Sequence, residues 1–176
     1  MRKRANIIAA MGAIGLVLLV TIVLPSLRKE KTEIAVGKKS PSFTLSSETG
    51  VTVNSGEFAG KVVILHYWAT WCPPCITELP SLAKLYEAYK GNDKVKFFFV
   101  LYQDSEDNAA QYFQTAKIDL PLWFDYNQST ASAFGVTGVP ETYVVDSNGI
   151  LQQRIIGSAD WESAEVRRYI DGLLNF

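Results

Sequence analysis

The pattern of apolar and polar positions opens with no pattern at all. Ala5 to Leu24 run for 20 residues without a charge, and only Asn6 and Thr21 among them are clearly polar. As a helix this run is about 30 Å long, the thickness of a bilayer's hydrocarbon core. A core helix of a soluble domain would show a polar stripe, and this run has none. The pattern predicts a membrane-spanning helix. Arg2, Lys3 and Arg4 precede it and Arg28, Lys29 and Lys31 follow. The basic cluster packed directly against the run favours an inner N-terminus and an outer domain. Pro25-Ser26-Leu27-Arg28 offers no small-x-small exit, so the run reads as an uncleaved anchor rather than a signal peptide.

From Pro25 to Ser40 the chain is charged and aperiodic, and reads as a tether with a mean reach of roughly 20 Å. Residues 41–176 then alternate between periods of two and of about 3.6. Ser42–Leu45 and Val51–Val53 flank Gly50 as a small hairpin, and Lys61–Trp68 (KVVILHYW) is a buried strand. Pro73–Lys90 carries Cys75, Leu79, Leu82, Tyr86 and Tyr89 at helical spacing. Lys94–Tyr102 (KVKFFFVLY) is a strand apolar on both faces. A helix over Glu106–Lys117, a strand at Leu122–Phe124 and a short helix over Ser129–Phe134 follow. Thr142–Asp146 and Ile150–Ile156 flank Ser147-Asn148-Gly149, a hairpin turn signal. Asp160 is the expected cap of a last helix that buries Val166, Ile170, Leu173 and Leu174. The order is βαβ, then a hairpin and a helix, an α/β arrangement.

Composition narrows the function. With 17 basic and 18 acidic residues the net charge is −1, so no general basic surface for nucleic acid exists. Two cysteines and one histidine exclude a four-ligand zinc site built from those residue types alone, and a scaffold of several disulfides.

Both cysteines fall in Trp71-Cys72-Pro73-Pro74-Cys75, at the step from a buried strand into a helix. Two intervening residues let the sulfurs meet across the first helical turn. Cys72 then lies beside unpaired N–H groups and the positive end of the helix dipole, which favour its thiolate. Pro73 costs no helix hydrogen bond there. Cys75, one turn deeper, is the expected resolving thiol. A haem attachment site would need His where Ile76 stands, and a structural disulfide across so short a loop constrains little. A redox-active pair remains.

With VVILHYWATWCPPC before a helix and GVTGVPETYVVDSNG later, the chain resembles the thioredoxin superfamily and, more narrowly, the membrane-anchored TlpA/ResA/DsbE group of thiol:disulfide oxidoreductases. The likeness covers roughly residues 37–174. SPSFTLSSETG resembles the group's opening hairpin, and the segment before Leu122 resembles its central αβ insert. The implied fold is thioredoxin-like, a central mixed sheet flanked by helices, here preceded by one transmembrane helix. GVTGVPETYVVDSNG leans toward the cytochrome c maturation reductants.

The resemblance implies further site residues. Pro140 matches the family's cis-proline, which faces the cysteines and offers a backbone edge to substrate. Glu78 matches an acidic residue of the group, able to exchange a proton with Cys75; the alternative is a solvated helix carboxylate. Glu141 either tunes the thiols or holds water at a loop. His66 departs from the superfamily, which has a buried Asp there; it is a proton relay or a neutral core histidine. The sequon Asn127-Gln128-Ser129 is discounted as chance.

The expected activity is thiol–disulfide exchange without an organic cofactor. The expected partners are protein substrates with a disulfide or cysteine pair, apocytochrome c foremost, a membrane electron donor, and the bilayer itself through Ala5–Leu24. The expected location is the cytoplasmic membrane, with the domain on its outer side. A disulfide-forming oxidase, a general thiol reductase and a tethered binding module are the rivals. A thiol peroxidase is a weaker one, since Ala69 stands where that motif has Thr.

Overall fold

The computed structural model describes residues 34–175. The expected anchor at Ala5–Leu24 lies outside them, as does the expected tether up to residue 33. Among the described residues no helix is long and apolar enough to cross a membrane.

The chain forms β1 (Thr44–Ser47), β2 (Thr52–Asn54), a 3-10 turn (Ser55–Phe58), β3 (Val62–Trp68), α1 (Pro73–Tyr89), β4 (Val95–Leu101), α2 (Glu106–Ala116), β5 (Leu122–Phe124), α3 (Ser129–Ala133), β6 (Glu141–Val145), β7 (Leu151–Ile156) and α4 (Ala164–Leu174). The strands make one mixed sheet in the order β2-β1-β5-β4-β3-β6-β7. β3 and β4 pair in parallel, as the long α1 crossover requires, and β5 continues parallel beyond β4. β6 runs antiparallel to β3 and turns into β7. The hairpin β1-β2 extends the sheet at the β5 edge. This is the thioredoxin-like arrangement, with its opening hairpin and central αβ insert.

Every residue of β3 is buried, because apolar layers cover both faces of the sheet. On one face Val62, Ile64 and Trp68 pack with Cys75, Leu79 and Leu82 of α1, with Ala109 of α2 and with Ile170 of α4. On the other, Val63, Leu65 and Tyr67 pack with Phe43, Phe98, Phe134 and Tyr143. Pro80 lies inside α1 and cannot donate to the carbonyl of Ile76. The Tyr112 hydroxyl donates to that carbonyl instead, at 3.4 Å.

Two boundaries differ from the sequence expectation. Ser163, not Asp160, caps α4, accepting from the Val166 N–H at 3.3 Å. Trp161 is buried against the sheet, so residues 160–163 form a separate turn in which Asp160 accepts from the Glu162 N–H. Residues 37–40, grouped by composition with the tether, are hydrogen-bonded to the β6-β7 turn through Gly37 to Leu151 and Ser40 to Gly149. Residues 37–40 are thus part of the fold.

Candidate active site

Cys72 and Cys75 are joined in a disulfide. Cys72 is the N-cap of α1, and the Cys75 N–H donates to its sulfur at 3.2 Å. Pro73 fills the first helical position without losing a bond. An orphan helix donor therefore points at the outer sulfur, where reduction leaves negative charge. Cys72 is 3% exposed and Cys75 is fully covered. The expected order of access holds, but the outer sulfur is far less open than a protruding thiolate. A partner reaches it only by docking on the surrounding surface, where Trp71 is 54% exposed.

The loop that carries Trp71 is tied down from the segment between β4 and α2. Asp104 accepts from both the N–H and the hydroxyl of Thr70, at 2.7 and 2.5 Å. Its other oxygen accepts from Ser105 N–H and Asn108. Partial burial works against the charge, but these bonds hold the carboxyl below its usual range. The Trp71 indole N–H donates to the carbonyl of Gln103 at 3.0 Å. Sequence reasoning missed Asp104; its place just beyond the C-terminal end of a buried strand was the available signal.

On the other side of β3, the Val139–Pro140 bond is cis. Tyr67 pairs with Glu141, which places Pro140 beside the end of β3 where the cysteine loop departs. Val139 packs against the cluster that holds both cysteines, while Thr137 and Gly138 are exposed.

Glu78 is not a solvated helix carboxylate. It is 4% exposed, on the stripe of α1 that holds Cys75, Leu79 and Leu82. Its Oε2 accepts from the Trp161 indole at 2.7 Å and from the Ala159 N–H at 3.0 Å. Burial raises its pKa, and those two donors oppose the rise. Its Oε1 and the Nε2 of His66 both lack a hydrogen-bond partner among the described residues, and they face each other at 3.7 Å. His66 Nδ1 lies 2.8 Å from the Thr142 hydroxyl. Burial lowers His66 to about 3, so the imidazole is neutral at neutral pH. With the proton on Nε2 the ring points it at the Glu78 carboxylate and Nδ1 accepts from Thr142; with the proton on Nδ1, a protonated Glu78 is the complementary state. Cys75 is three residues before Glu78, on the same helix face.

Glu141 belongs to a different assembly, on the other face of the sheet from His66 and Glu78. It is 1% exposed, so it does not hold water at a loop. Its carboxylate accepts from Arg154 Nε at 2.6 Å and from the Tyr143 hydroxyl at 2.7 Å. Arg154 also donates to the carbonyl of Gly135 and lies over the Tyr143 ring. Glu141 is thus an anchor for the segment leading to Pro140 and is not brought to the cysteines. Among the described residues no cluster fit to hold a metal ion is present.

The family model for the AhpC/TSA family matches residues 36–154. A thiol-disulfide oxidoreductase ResA of Bacillus thuringiensis subsp. konkukian is 32% identical over 139 residues, covering 78% of each chain. Another ResA, from Geobacillus kaustophilus, is 29% identical over 98% of this chain and 99% of its own. Among solved structures, a thioredoxin-family thiol:disulfide interchange protein of Chlorobium tepidum superposes with a TM-score of 0.67 at 25% identity, over 80% of this chain and 99% of that one. StoA of Bacillus subtilis, at 22% identity and a TM-score of 0.61, shares the fold. The chain belongs to the AhpC/TSA family, as a thioredoxin-like member of the thiol-disulfide oxidoreductase group that includes ResA.

Proposed function

We propose that this chain is a membrane-anchored, extracytoplasmic thiol:disulfide oxidoreductase that reduces protein disulfides during cytochrome c maturation. The observation that carries the exchange chemistry is the cysteine pair at the start of α1, with the Cys75 N–H on the Cys72 sulfur. In the reduced protein the Cys72 thiolate attacks one sulfur of a substrate disulfide. A mixed disulfide forms, and the other substrate sulfur leaves as a thiolate. Cys75 then gives up its proton and attacks Cys72, releasing the second substrate thiolate. Two electrons pass to the substrate, and Cys72–Cys75 becomes the disulfide. Glu78, buried on the same face of α1 as Cys75 with one oxygen unsatisfied, is the proton acceptor for that second attack. The exposed backbone at Thr137 and Gly138 is the edge on which an extended substrate segment pairs.

The cytochrome c assignment is supported by the likeness of GVTGVPETYVVDSNG to the maturation reductants, and the anchor by Ala5–Leu24. An outer location calls for a membrane electron donor to restore the dithiol. Ala69, three residues before Cys72, argues against peroxide reduction.

The test is acid quenching of cells that carry Cys75→Ser, followed by non-reducing electrophoresis. The expected product is a persistent mixed disulfide with a cytochrome c precursor or its assembly factors. Adducts with many unrelated secreted proteins would assign a general reductase or oxidase instead. Adducts on Cys72→Ser alone would reverse the two thiol roles, and none on either variant would leave a binding module. Protease added outside the membrane is expected to remove the domain, and full protection would reverse the orientation.

A further inference from the structure

We propose that a cleft beside Trp71 is a subsite for a basic side chain of the substrate protein, a lysine or arginine close to the reacting cysteine. It rests on the exchange reading above and adds a determinant of which substrates are preferred.

The cleft lies where the C-terminal ends of β3, β4 and β5 meet the starts of α2 and α3, and holds about 300 Å³. That is the lower end of small-molecule sites, a space suited to one long side chain. Its lining contains three carboxylates, Asp104, Glu106 and Asp125, and no lysine or arginine. Three tyrosines also line it: Tyr67, Tyr102 and Tyr126. Carboxylates together with aromatic faces form an environment for an organic cation.

The carboxylates differ in what they still need. Asp104 is fully engaged in holding the Thr70 loop. Glu106 accepts from the Tyr126 hydroxyl at 2.9 Å. Asp125 accepts only from the Ala131 N–H, through Oδ2, and its other oxygen has no donor among the described residues.

The independent sign of a ligand is Tyr67, fully buried in the cleft wall. Its hydroxyl has no hydrogen-bond partner among the described residues. A buried hydroxyl without a partner is costly, and a group that supplies one there gains accordingly. An ammonium or guanidinium entering the cleft can donate to Asp125 and reach toward the Tyr67 oxygen. A bare metal ion is not favoured, because the described residues contain no converging set of metal ligands.

The cleft adjoins the reacting pair. Gln103 lies in its wall, and its carbonyl holds the Trp71 indole, one residue before Cys72. Gln103 and Gln128 both have left-handed backbone, with φ of 49° and 54°, and their side-chain amides meet at 3.3 Å. A substrate whose cysteine sits at Cys72 therefore has its neighbouring residues within reach of the acidic wall.

The test uses the full chain in its dithiol form and a set of synthetic disulfide peptides. These differ only in one residue, placed one to three positions from a cysteine: lysine, norleucine or glutamate. The reading is the ratio of second-order rate constants on one protein preparation, so partial misfolding of a variant cancels. The lysine peptide is expected to react about fivefold faster than the norleucine peptide, equal to about 1 kcal/mol. Glutamate is expected to be slowest, and the spread is expected to shrink in high salt. Asp125→Asn and Tyr67→Phe are each expected to move the lysine-to-norleucine ratio toward one. Equal rates for the three peptides would overturn the subsite alone. A preference that persists unchanged in both variants would also overturn it. No reaction with any peptide would overturn the exchange reading and the subsite with it.

Discussion

Glu78 and Glu141 are both buried glutamates, one on each face of the same sheet, against His66 and Tyr67 of β3. Glu141 has a cation: Arg154 at 2.6 Å, with the Tyr143 hydroxyl completing its shell. Glu78 has none. It has two neutral donors on one oxygen and, across a 3.7 Å gap from the other, a histidine that burial keeps neutral. The paired carboxylate cements the segment from Gly135 to Glu141. The unpaired one keeps an oxygen without a hydrogen-bond partner among the described residues, which suits the proton role proposed for it. Residue type and burial are nearly the same on the two faces. The presence of a fixed positive charge is what separates the structural anchor from the proposed proton site.

The largest effect is expected from removing that charge. Arg154→Ala leaves Glu141 buried without its cation and should cost about 3 kcal/mol in denaturant unfolding. A loss below about 1 kcal/mol would mean that Glu141 is not an ionic anchor.

The next effect is a pH dependence on the cysteine face. Burial lowers His66 from 6.5 to about 3. Between those values the unfolded chain binds a proton that the folded chain refuses, so this group's contribution to stability falls on acidification. Glu78 acts in the opposite sense: its raised pKa lets the folded state keep a proton the unfolded state has released, so its contribution falls as pH rises above 4.5. His66→Gln should be less stable than the parent at pH 7, and that gap should narrow by about 2 kcal/mol at pH 5, where only the parent bears the cost of a neutral imidazole. A gap independent of pH would show that His66 titrates in the folded protein as it does in the unfolded chain.

Glu78→Gln should raise stability at neutral pH by about 1 kcal/mol. The amide keeps the bonds from Trp161 and Ala159 and offers a donor to His66 Nε2. Lower melting temperature would mean that the carboxylate is already satisfied as it stands. The smallest effect is the exposed pair Lys84–Glu162, at 3.0 Å; Lys84→Ala should change stability by less than about 0.5 kcal/mol.

Much of this was legible before any coordinates. KVVILHYW and KVKFFFVLY read as doubly buried strands because continuous β-branched and aromatic runs suit a sheet covered on both sides. Trp-Cys-Pro-Pro-Cys declared its helix start, since proline at the first helical position costs no hydrogen bond. The misread features depend on contacts distant in sequence. Asp160 and Ser163 are equally good caps, and only the burial of Trp161 between them decides for Ser163. Glu141 followed a proline and so looked like a loop residue, but pairing with β3 and β7 makes it a strand residue facing Arg154. Glu78 carried its own signal: a carboxylate on the stripe of Cys75, Leu79 and Leu82 is not placed for solvent. That His66 faces it needed the register of α1 over β3, which no local pattern encodes.

The central claim is that Glu78 takes the proton of Cys75. The measurement is the rate at which a preformed mixed disulfide on Cys72 is resolved by Cys75, followed by stopped flow from pH 5 to 10 in the parent and in Glu78→Gln. In the parent, resolution should be fast at pH 7 and should inflect below the ordinary thiol value of about 8.5. In Glu78→Gln it should be about 100-fold slower at pH 7 and should inflect at or above that value. Superimposable profiles for the two proteins would contradict the claim.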